Sequence, residues 1–163
     1  MEDYRSFNQT YPDSNYVGWE IARHLEGILA GPVLVALGMS EFFAESLEQE
    51  GEIPEGLVDA NLPLLSSVME FFRLLNWVES NNGQYRFTAE GLFYIRRTVA
   101  YGVTVSYLPT FHLVPDLLFG NPNIIWKRTS EGLETHVNRR MNVWGSGGAH
   151  SLYFRKIDAI IIH

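Results

Sequence analysis

The central pattern of the chain lies in residues 61–101, which read NLPLLSSVMEFFRLLNWVESNNGQYRFTAEGLFYIRRTVAY. Asn61 is a favourable N-cap, and Pro63 falls in the first turn of a helix, where its missing N–H costs nothing. Apolar residues then recur at helical spacing, which predicts a buried helix of about four turns. These apolar positions are Leu65, Val68, Met69, Phe72 and Leu75.

The second part of this region predicts a β-hairpin. Residues 77–79 have the composition of a short strand, and residues 84–87 alternate between outward and inward positions. Between them stand Asn81, Asn82 and Gly83, which tolerate positive φ in a tight turn. Thr88 then caps a helix whose apolar positions continue to Val99. We therefore predict a mainly α-helical, winged-helix-like fold with one small β-hairpin, the wing.

The composition is that of an ordinary globular domain. The chain has 163 residues, 46% of them hydrophobic, and no cysteine. The lack of cysteine excludes disulfides and thiolate metal sites, and it fits a reducing compartment. The first 15 residues are polar and acidic rather than basic and then apolar, and no apolar run reaches the roughly 18 residues of a membrane span. We expect a cytoplasmic protein with no membrane partner.

Charge is distributed unevenly along the chain. Residues 1–82 carry 14 acidic and three basic residues, a sum of -11, whereas residues 83–163 carry nine basic and five acidic residues, a sum of +4. A DNA-recognition helix presents cations to phosphates and base edges. Here Arg73 is the only basic residue between Leu62 and Trp77, and the wing supplies only Arg86. We expect no nucleic-acid partner, although a winged-helix transcriptional regulator and a protein-docking module remain alternatives.

We divide the chain into an N-terminal arm (residues 1–15), a winged-helix-like helical domain (16–143) and a connector with a final helix (144–163). Gly31 and Pro32 are expected to end the first helix, which begins at residue 16. Its apolar face comprises Val17, Ile21, Leu25, Ile28 and Leu29.

Further helices are predicted on either side of the central region. A short apolar helix covers residues 33–43. Pro109 and Pro115 should break residues 101–118 into separate pieces. A helix over residues 131–143 is expected to stop at the glycines that follow it.

The candidate functional segment is MNVWGSGGAHSLYF, residues 141–154. Three glycines within four residues allow a ligand to approach the backbone, and the flanking aromatic side chains offer stacking surface and hydrogen bonds. The segment lacks the GK[ST] ending of a phosphate loop and the third glycine of GxGxxG. A flexible joint between two helices explains the glycines equally well. The candidate cofactor-binding residues are Trp144, Gly145, Ser146, Gly147, Gly148, His150 and Tyr153.

No catalytic centre or metal site is apparent in the sequence. The five histidines are scattered, and His112 and Asp116 have no third ligand at a suitable spacing. We therefore assign no catalytic residue and no metal ligand.

Two segments resemble a known family. The segment LPLLSSVMEFFRLLNWVESNNGQYRFTAEGLFYI resembles the winged-helix N-terminal domain that precedes the catalytic domain of many class I S-adenosylmethionine-dependent methyltransferases. The segment RRMNVWGSGGAHSLYFRKIDAII looks like the connector into the cofactor-binding domain, most like methyltransferase domains of modular polyketide assembly lines.

The resemblance implies a function in polyketide or other secondary-metabolite biosynthesis, as the N-terminal lid or dimerisation part of a methyltransferase. S-adenosylmethionine is the implied cofactor. The implied partners are the chain's own C-terminal cofactor-binding domain, a second copy of the chain and a carrier-protein-linked substrate. The family's first cofactor motif would come after Ile162, so we expect a fragment that is inactive alone and binds the cofactor weakly or not at all.

The final helix is expected to expose an apolar face in the isolated chain. This face comprises Phe154, Ile157, Ile160 and Ile161. An apolar face of this kind requires a partner, so self-association along it is a further expectation.

Overall fold

The computed structural model describes residues 16–54 and 63–162, and these residues are mainly α-helical. They form eight α-helices, one short 3₁₀ helix and one two-stranded antiparallel sheet. The predicted mainly α fold with a single small hairpin is therefore confirmed. The predicted N-terminal arm and the Asn61 cap lie outside the described residues.

The chain divides into two compact units, Met1–Arg96 and Arg97–His163. The first unit contains helices α1 (Tyr16–Met39), α2 (Phe42–Glu48) and α3 (Pro63–Leu74), strands β1 (Val78–Asn81) and β2 (Gln84–Phe87), and helix α4 (Ala89–Ile95). The second unit contains α5 (Thr98–Ser106), α6 (Leu108–His112), α7 (Val114–Phe119), the 3₁₀ helix (Pro122–Trp126) and α8 (Arg139–Ile161).

Aromatic and aliphatic side chains of α3 and the hairpin form the core of the first unit. Met69 and Phe72 are fully buried, and Leu75 is also buried, as the helical spacing predicts. The Phe72 ring lies 5.4 Å from Trp77 and 6.4 Å from Phe87, between ring centroids. The amphipathic pattern of α3 therefore positions the wing against the helix.

The wing is a β-hairpin with a tight two-residue turn. Asn82 and Gly83 have φ values of 51° and 84°, which a type I′ turn requires and which these two residues tolerate. Its strands pair in a register that places Val78 opposite Phe87. A third backbone segment lies beside β2, because Ile53 N donates to Tyr85 O and Phe87 N donates to Gly51 O. No pattern in the sequence predicts this third segment.

Thr88 joins the wing to α4. Its hydroxyl oxygen accepts a hydrogen bond from Gly91 N at 3.1 Å and donates to Asn76 O at 2.7 Å. The predicted N-cap is confirmed. Gly91 is required here for space, since a Cβ would lie 2.0 Å from Trp77 O.

We expect Thr88→Ala to lower the free energy of unfolding by about 1 kcal/mol, because both hydrogen bonds of the cap are lost. Urea denaturation of the chain measures this change. Thr88→Ser keeps the hydroxyl and serves as the control. Equal losses for serine and alanine would show that the hydroxyl is not the stabilising group.

The first helix differs from the prediction in two respects. It does not end at Gly31 and Pro32 but continues through Pro32 to Met39. Its buried face also lies elsewhere: Ala30, Leu34 and Val35 are at most 3% exposed. The predicted apolar face is 39–65% exposed instead, and it comprises Val17, Ile21, Leu25, Ile28 and Leu29. Burial of residues beyond Pro32 offsets the hydrogen bond that the proline cannot make.

The extended α1 also corrects the expectation that no segment has the properties of a membrane span. Within the described ranges, the part of α1 from Val17 to Met39 is long and apolar enough to cross a membrane. The charged residues between its apolar positions are too few to lower its mean hydropathy below that of a span. Core helices of soluble proteins and N-terminal signal sequences have the same length and composition as such a span.

Three helix boundaries in the rest of the chain also differ from the prediction. The helix that begins after Thr88 stops at Ile95, and α5 starts at Thr98, so a break falls where the two units meet in the sequence. Residues 131–138 are not helical, because Thr129 Oγ1 accepts hydrogen bonds from Glu131 N and Leu133 N in a local turn. The last helix begins only after Asn138, and it continues through the glycines that were expected to stop it.

The prolines mark the breaks that the sequence predicts. Pro109 and Pro115 each lie in the first turn of a new short helix, α6 and α7. A proline in the first turn loses no helical hydrogen bond. The prediction that residues 101–118 form separate pieces is therefore confirmed.

Candidate functional site

The glycine segment lies inside α8, where part of it packs closely against α5. A Cβ on Gly145 would lie 2.6 Å from Val103 N, and a Cβ on Gly102 would lie 2.8 Å from Gly145 Cα. A Cβ on Gly148 would lie 2.1 Å from Val99 Cγ1. These contacts require glycine at the crossing of the two helices. The interpretation of the segment as a flexible joint between helices is wrong, since one continuous helix runs through it.

Polar contacts fix the start of α8 beside the end of α5. Asn138 N donates to Ser106 O at 2.9 Å, and the Asn138 side chain accepts from Met141 N at 3.1 Å, which caps α8. One turn later, Asn142 Nδ2 donates to Ser106 Oγ at 3.0 Å. Together with the glycine contacts, these hydrogen bonds define how α8 crosses α5.

The candidate cofactor-binding residues divide between two sides of α8. Trp144 and Gly145 face α5, where the Trp144 ring would be 3.0 Å from a Cβ on Gly102. His150 and Tyr153 are exposed, and their ring centroids lie 6.3 Å apart. Gly147 is exposed too, with no atom within 4 Å of a Cβ built there. The structure therefore brings Gly147, His150 and Tyr153 to open surface. Ser146 is half-buried and bonds to the carbonyl of Val143.

The exposed side of α8 carries a regular stripe of residues, here called the α8 seam. Its members recur at alternating intervals of four and three residues, the heptad spacing of helices that pair with other helices. All of them are exposed, which confirms the predicted exposure of the apolar face of this helix. The α8 seam consists of Val143, Gly147, His150, Phe154, Ile157 and Ile161.

A second group of polar residues surrounds an open cleft of about 500 Å³ near the start of α8. Arg139 donates to Glu134 Oε2 from Nε at 2.8 Å and from Nη2 at 2.6 Å. Arg128 approaches the other carboxylate oxygen, with Nη2 at 3.9 Å from Glu134 Oε1. Arg140 also lines the cleft, together with Thr129 and Thr135. We call this group the arginine cleft.

Other potential sites are poorly developed in the part of the chain that the structure describes. No group of three His, Asp or Glu side chains there is placed to hold a metal ion. On α3, Arg73 Nε donates to Glu70 Oε2 at 2.8 Å, so this cation is neutralised locally. The wing borders a second cleft, of about 450 Å³, that Glu52 and Glu79 line together with Arg86.

Comparison with protein families gives a match for each of the two segments that resemble methyltransferases. Residues 26–121, more than half of the chain, match the family described as the AprA winged helix domain. The chain belongs to the AprA winged helix domain family. Residues 134–163 match a second family, described as the AprA MT2-like domain. No curated protein matches the chain. The two family matches confirm the resemblance to a winged-helix domain that leads into a methyltransferase-like domain.

Residues that line the arginine cleft fall within both family matches. The arginine cleft borders both matches: Pro109 falls within the AprA winged helix match, whereas Glu134 and Arg139 fall within the AprA MT2-like match. The arginine cleft could not be predicted from the sequence, because its residues come from a loop, a helix start and a distant proline. The adjacent basic residues Arg139 and Arg140 were the available signal.

The Arg139 guanidinium, through its hydrogen bonds, holds the pKa of the Glu134 carboxyl below its ordinary value. Because the pKa is lower in the folded state, the ion pair stabilises the fold at neutral pH, and this contribution is lost as the pH falls through the folded-state pKa.

We expect a ¹³C NMR titration of the Glu134 carboxyl to give a midpoint below that of an unfolded glutamate, about 4.3. Arg139→Gln should move the midpoint upward, because the hydrogen bonds that favour the ionised carboxylate are lost. Arg155→Gln, a change of equal charge far along the same helix, is the control. A midpoint that Arg139→Gln does not move would contradict this assignment.

Proposed function

We propose that this chain is the N-terminal helical part of an S-adenosylmethionine-dependent methyltransferase of polyketide or other secondary-metabolite biosynthesis, where it acts as a lid over the cofactor-binding domain. The observation that carries the proposal is the exposed α8 seam within the segment that matches the AprA MT2-like domain. A helix that belongs to a methyltransferase-like match and leaves its apolar side uncovered needs the rest of such a domain to bury that side.

The spacing of the α8 seam indicates what kind of surface covers it. Residues at alternating intervals of four and three stay on one side of a helix and pack against a neighbouring helix. In doubly wound α/β domains, helices cover both faces of the central sheet. The far end of the seam, with Phe154, Ile157 and Ile161, is therefore suited to a helix of the cofactor-binding domain.

The cofactor is proposed on the same grounds. Methyltransferase-like domains in general use S-adenosylmethionine, whose sulfonium supplies an activated methyl group. Class I domains bind their cofactor at the carboxyl ends of parallel strands, whereas the described residues contain only the two-stranded hairpin. In this proposal the partner domain holds most of the cofactor, and the chain alone is inactive.

The residues that fit a rim around the cofactor are Gly147, His150 and Tyr153. Gly147 leaves open space on the helix surface, so a ligand can approach the backbone there. His150 and Tyr153 present exposed rings beside it, one turn and two turns further along α8. Their ring atoms would orient the cofactor and shield it from water. Trp144, Gly145 and Gly148 are occupied with packing against α5, which gives them a structural role in addition.

We further propose that the chain's partners include a second copy of itself and a carrier-protein-linked substrate. The enzyme is proposed to be cytoplasmic. We propose no nucleic-acid partner. Arg73 is paired with Glu70 on the helix that would enter the DNA groove in a DNA-binding winged helix. Around Arg86, the acidic Glu52 and Glu79 repel phosphate.

Calorimetric titration of S-adenosylmethionine tests the lid assignment. The titration compares this chain with a longer polypeptide that joins it to a class I cofactor-binding domain of the AprA MT2-like type. We expect the longer polypeptide to bind the cofactor at least about tenfold more tightly and to transfer a methyl group. Equal affinity and equal methyl transfer by the chain alone would overturn the proposal.

The rim assignment has its own test in the longer polypeptide. Gly147→Val adds bulk where the structure leaves space, so it should weaken cofactor binding while the unfolding midpoint stays close to the parent value. Gly27→Val is a matched control, since Gly27 also lies in a helix with no atom within 4 Å of a Cβ. If Gly147→Val leaves affinity and turnover unchanged, the rim role is wrong and the lid role is unaffected.

A further inference from the structure

The arginine cleft has more positive charge than its own carboxylate neutralises. Three arginines and one glutamate line it, which gives a sum of +3 - 1 = +2 at neutral pH. Glu134 lies within ion-pair distance of Arg139 and Arg128. Arg140 is exposed, and no carboxylate among the described residues forms an ion pair with it. The cleft therefore has the charge to hold a dianion.

The position of the cations is unfavourable for the helix that carries them. Arg139 and Arg140 occupy the first turn of α8, and that turn contains no acidic residue. The amino end of a helix carries partial positive charge, so two arginines there repel it. Departures from such local rules are expected at functional or strained sites.

The donors around the cleft match the chemistry of a phosphate group. Arginine guanidinium groups bind phosphate oxygens through paired N–H donors. Thr129 Oγ1 accepts hydrogen bonds from two backbone N–H groups, which leaves its own O–H group available as a donor. The apolar part of the lining comes from Pro109, Leu133 and Val137. These three side chains offer a wall for the organic portion of a phosphate ester.

We propose that the arginine cleft binds a phosphate monoester, with Arg140 and Arg139 on the phosphate and the apolar wall on the esterified group. A phosphate monoester carries a charge of about -1.5 to -2 at pH 7, which balances the surplus of the cleft. Glu134 competes with the ligand for the two guanidinium groups that it contacts. This site is separate from the cofactor rim and does not depend on the proposed methyltransferase function.

NMR titration of the whole chain with phenyl phosphate and with inorganic phosphate tests this inference. We expect shifts of the backbone amides around Thr129 and Arg140, and an affinity for phenyl phosphate at least about threefold higher, because its ring contacts the apolar wall. Equal affinity for the two probes would overturn the assignment of a monoester. No saturable shift with either probe would overturn the site.

Three variants distinguish a specific binding site from non-specific electrostatic attraction of anions. Arg140→Gln should weaken phenyl phosphate binding about tenfold, since charge-assisted hydrogen bonds are lost. Glu134→Gln should tighten it, because the competing carboxylate is removed. Arg155→Gln makes the same charge change as Arg140→Gln on the far part of α8 and should leave the affinity within about twofold. Equal effects of the two arginine variants, or weaker binding by a folded Glu134→Gln protein, would contradict the proposal.

Discussion

Replacing Phe72 by alanine is expected to destabilise the first unit by about 3–5 kcal/mol. The Phe72 side chain has 0% of its surface exposed, and the Trp77 and Phe87 rings lie around it. Removing it leaves a cavity between these rings. Urea denaturation, followed by tryptophan fluorescence, measures the loss as a lower midpoint with an unchanged slope.

Phe93→Ala is the matched control for this prediction. Phe93 belongs to the same unit, but 49% of its surface is exposed and its ring has an edge contact with Tyr94. Its replacement should cost about 1 kcal/mol or less. Equal midpoints for the Phe72 and Phe93 variants would show that α3 does not form the core of this unit.

Gly145→Ala and Gly147→Ala should shift stability in opposite directions. At Gly145 the new methyl group would overlap the backbone of Val103, which cannot rotate away, so we expect a loss of about 1–3 kcal/mol. At Gly147 the methyl group points into open space. There the higher helix propensity of alanine should raise stability by about 0.5–1 kcal/mol.

Denaturation of the two variants beside the parent chain distinguishes the continuous helix from a joint. A joint would accept alanine equally well at both positions. Helical packing predicts a clear difference between them. A Gly145→Ala protein as stable as the parent would contradict the close crossing of α5 and α8.

The wing could be predicted from sequence because its signals are local. Asn82 and Gly83 favour the turn, and Thr88 bonds to the backbone only three residues ahead. The fully buried positions of α3 follow from spacing along one helix. In each case the residues that determine the structure lie within a few positions of one another.

The helix ends that the sequence predicted wrongly depend on tertiary contacts. Pro32 is a strong local signal for a helix end, yet the burial of Leu34 and Val35 extends α1 beyond it. The glycines of α8 have low helix propensity, and Gly102, more than 40 positions earlier, supplies the surface that favours them in a helix. Local propensity is a weak predictor where tertiary contacts oppose it.

Only part of the candidate site could be predicted from the sequence, again because the rest depends on tertiary contacts. The glycine segment is evident in the sequence, but only the structure distinguishes Gly145, which packs against α5, from Gly147, which is open. The arginine cleft depends on Arg128 and Arg139 meeting at Glu134. A turn stabilised by Thr129 brings them together, and no period in the sequence indicates it.

A cofactor-binding domain that covers the α8 seam would protect a thiol placed on the seam from reagents in solution. The chain has no cysteine, so a single introduced cysteine is its only thiol. Ile161→Cys places this thiol on the seam, whereas Ala159→Cys places it on the opposite side of the same turn, since two residues rotate a helix by about 200°. Both positions are exposed in this chain.

The decisive measurement is the rate at which a thiol reagent labels each cysteine, in the chain alone and in the longer polypeptide with its cofactor-binding domain. We predict fast labelling of both variants in the chain alone. In the longer polypeptide, labelling of Ile161→Cys should slow at least about tenfold, while Ala159→Cys keeps its rate. Unchanged labelling of Ile161→Cys in a folded longer polypeptide would contradict the account.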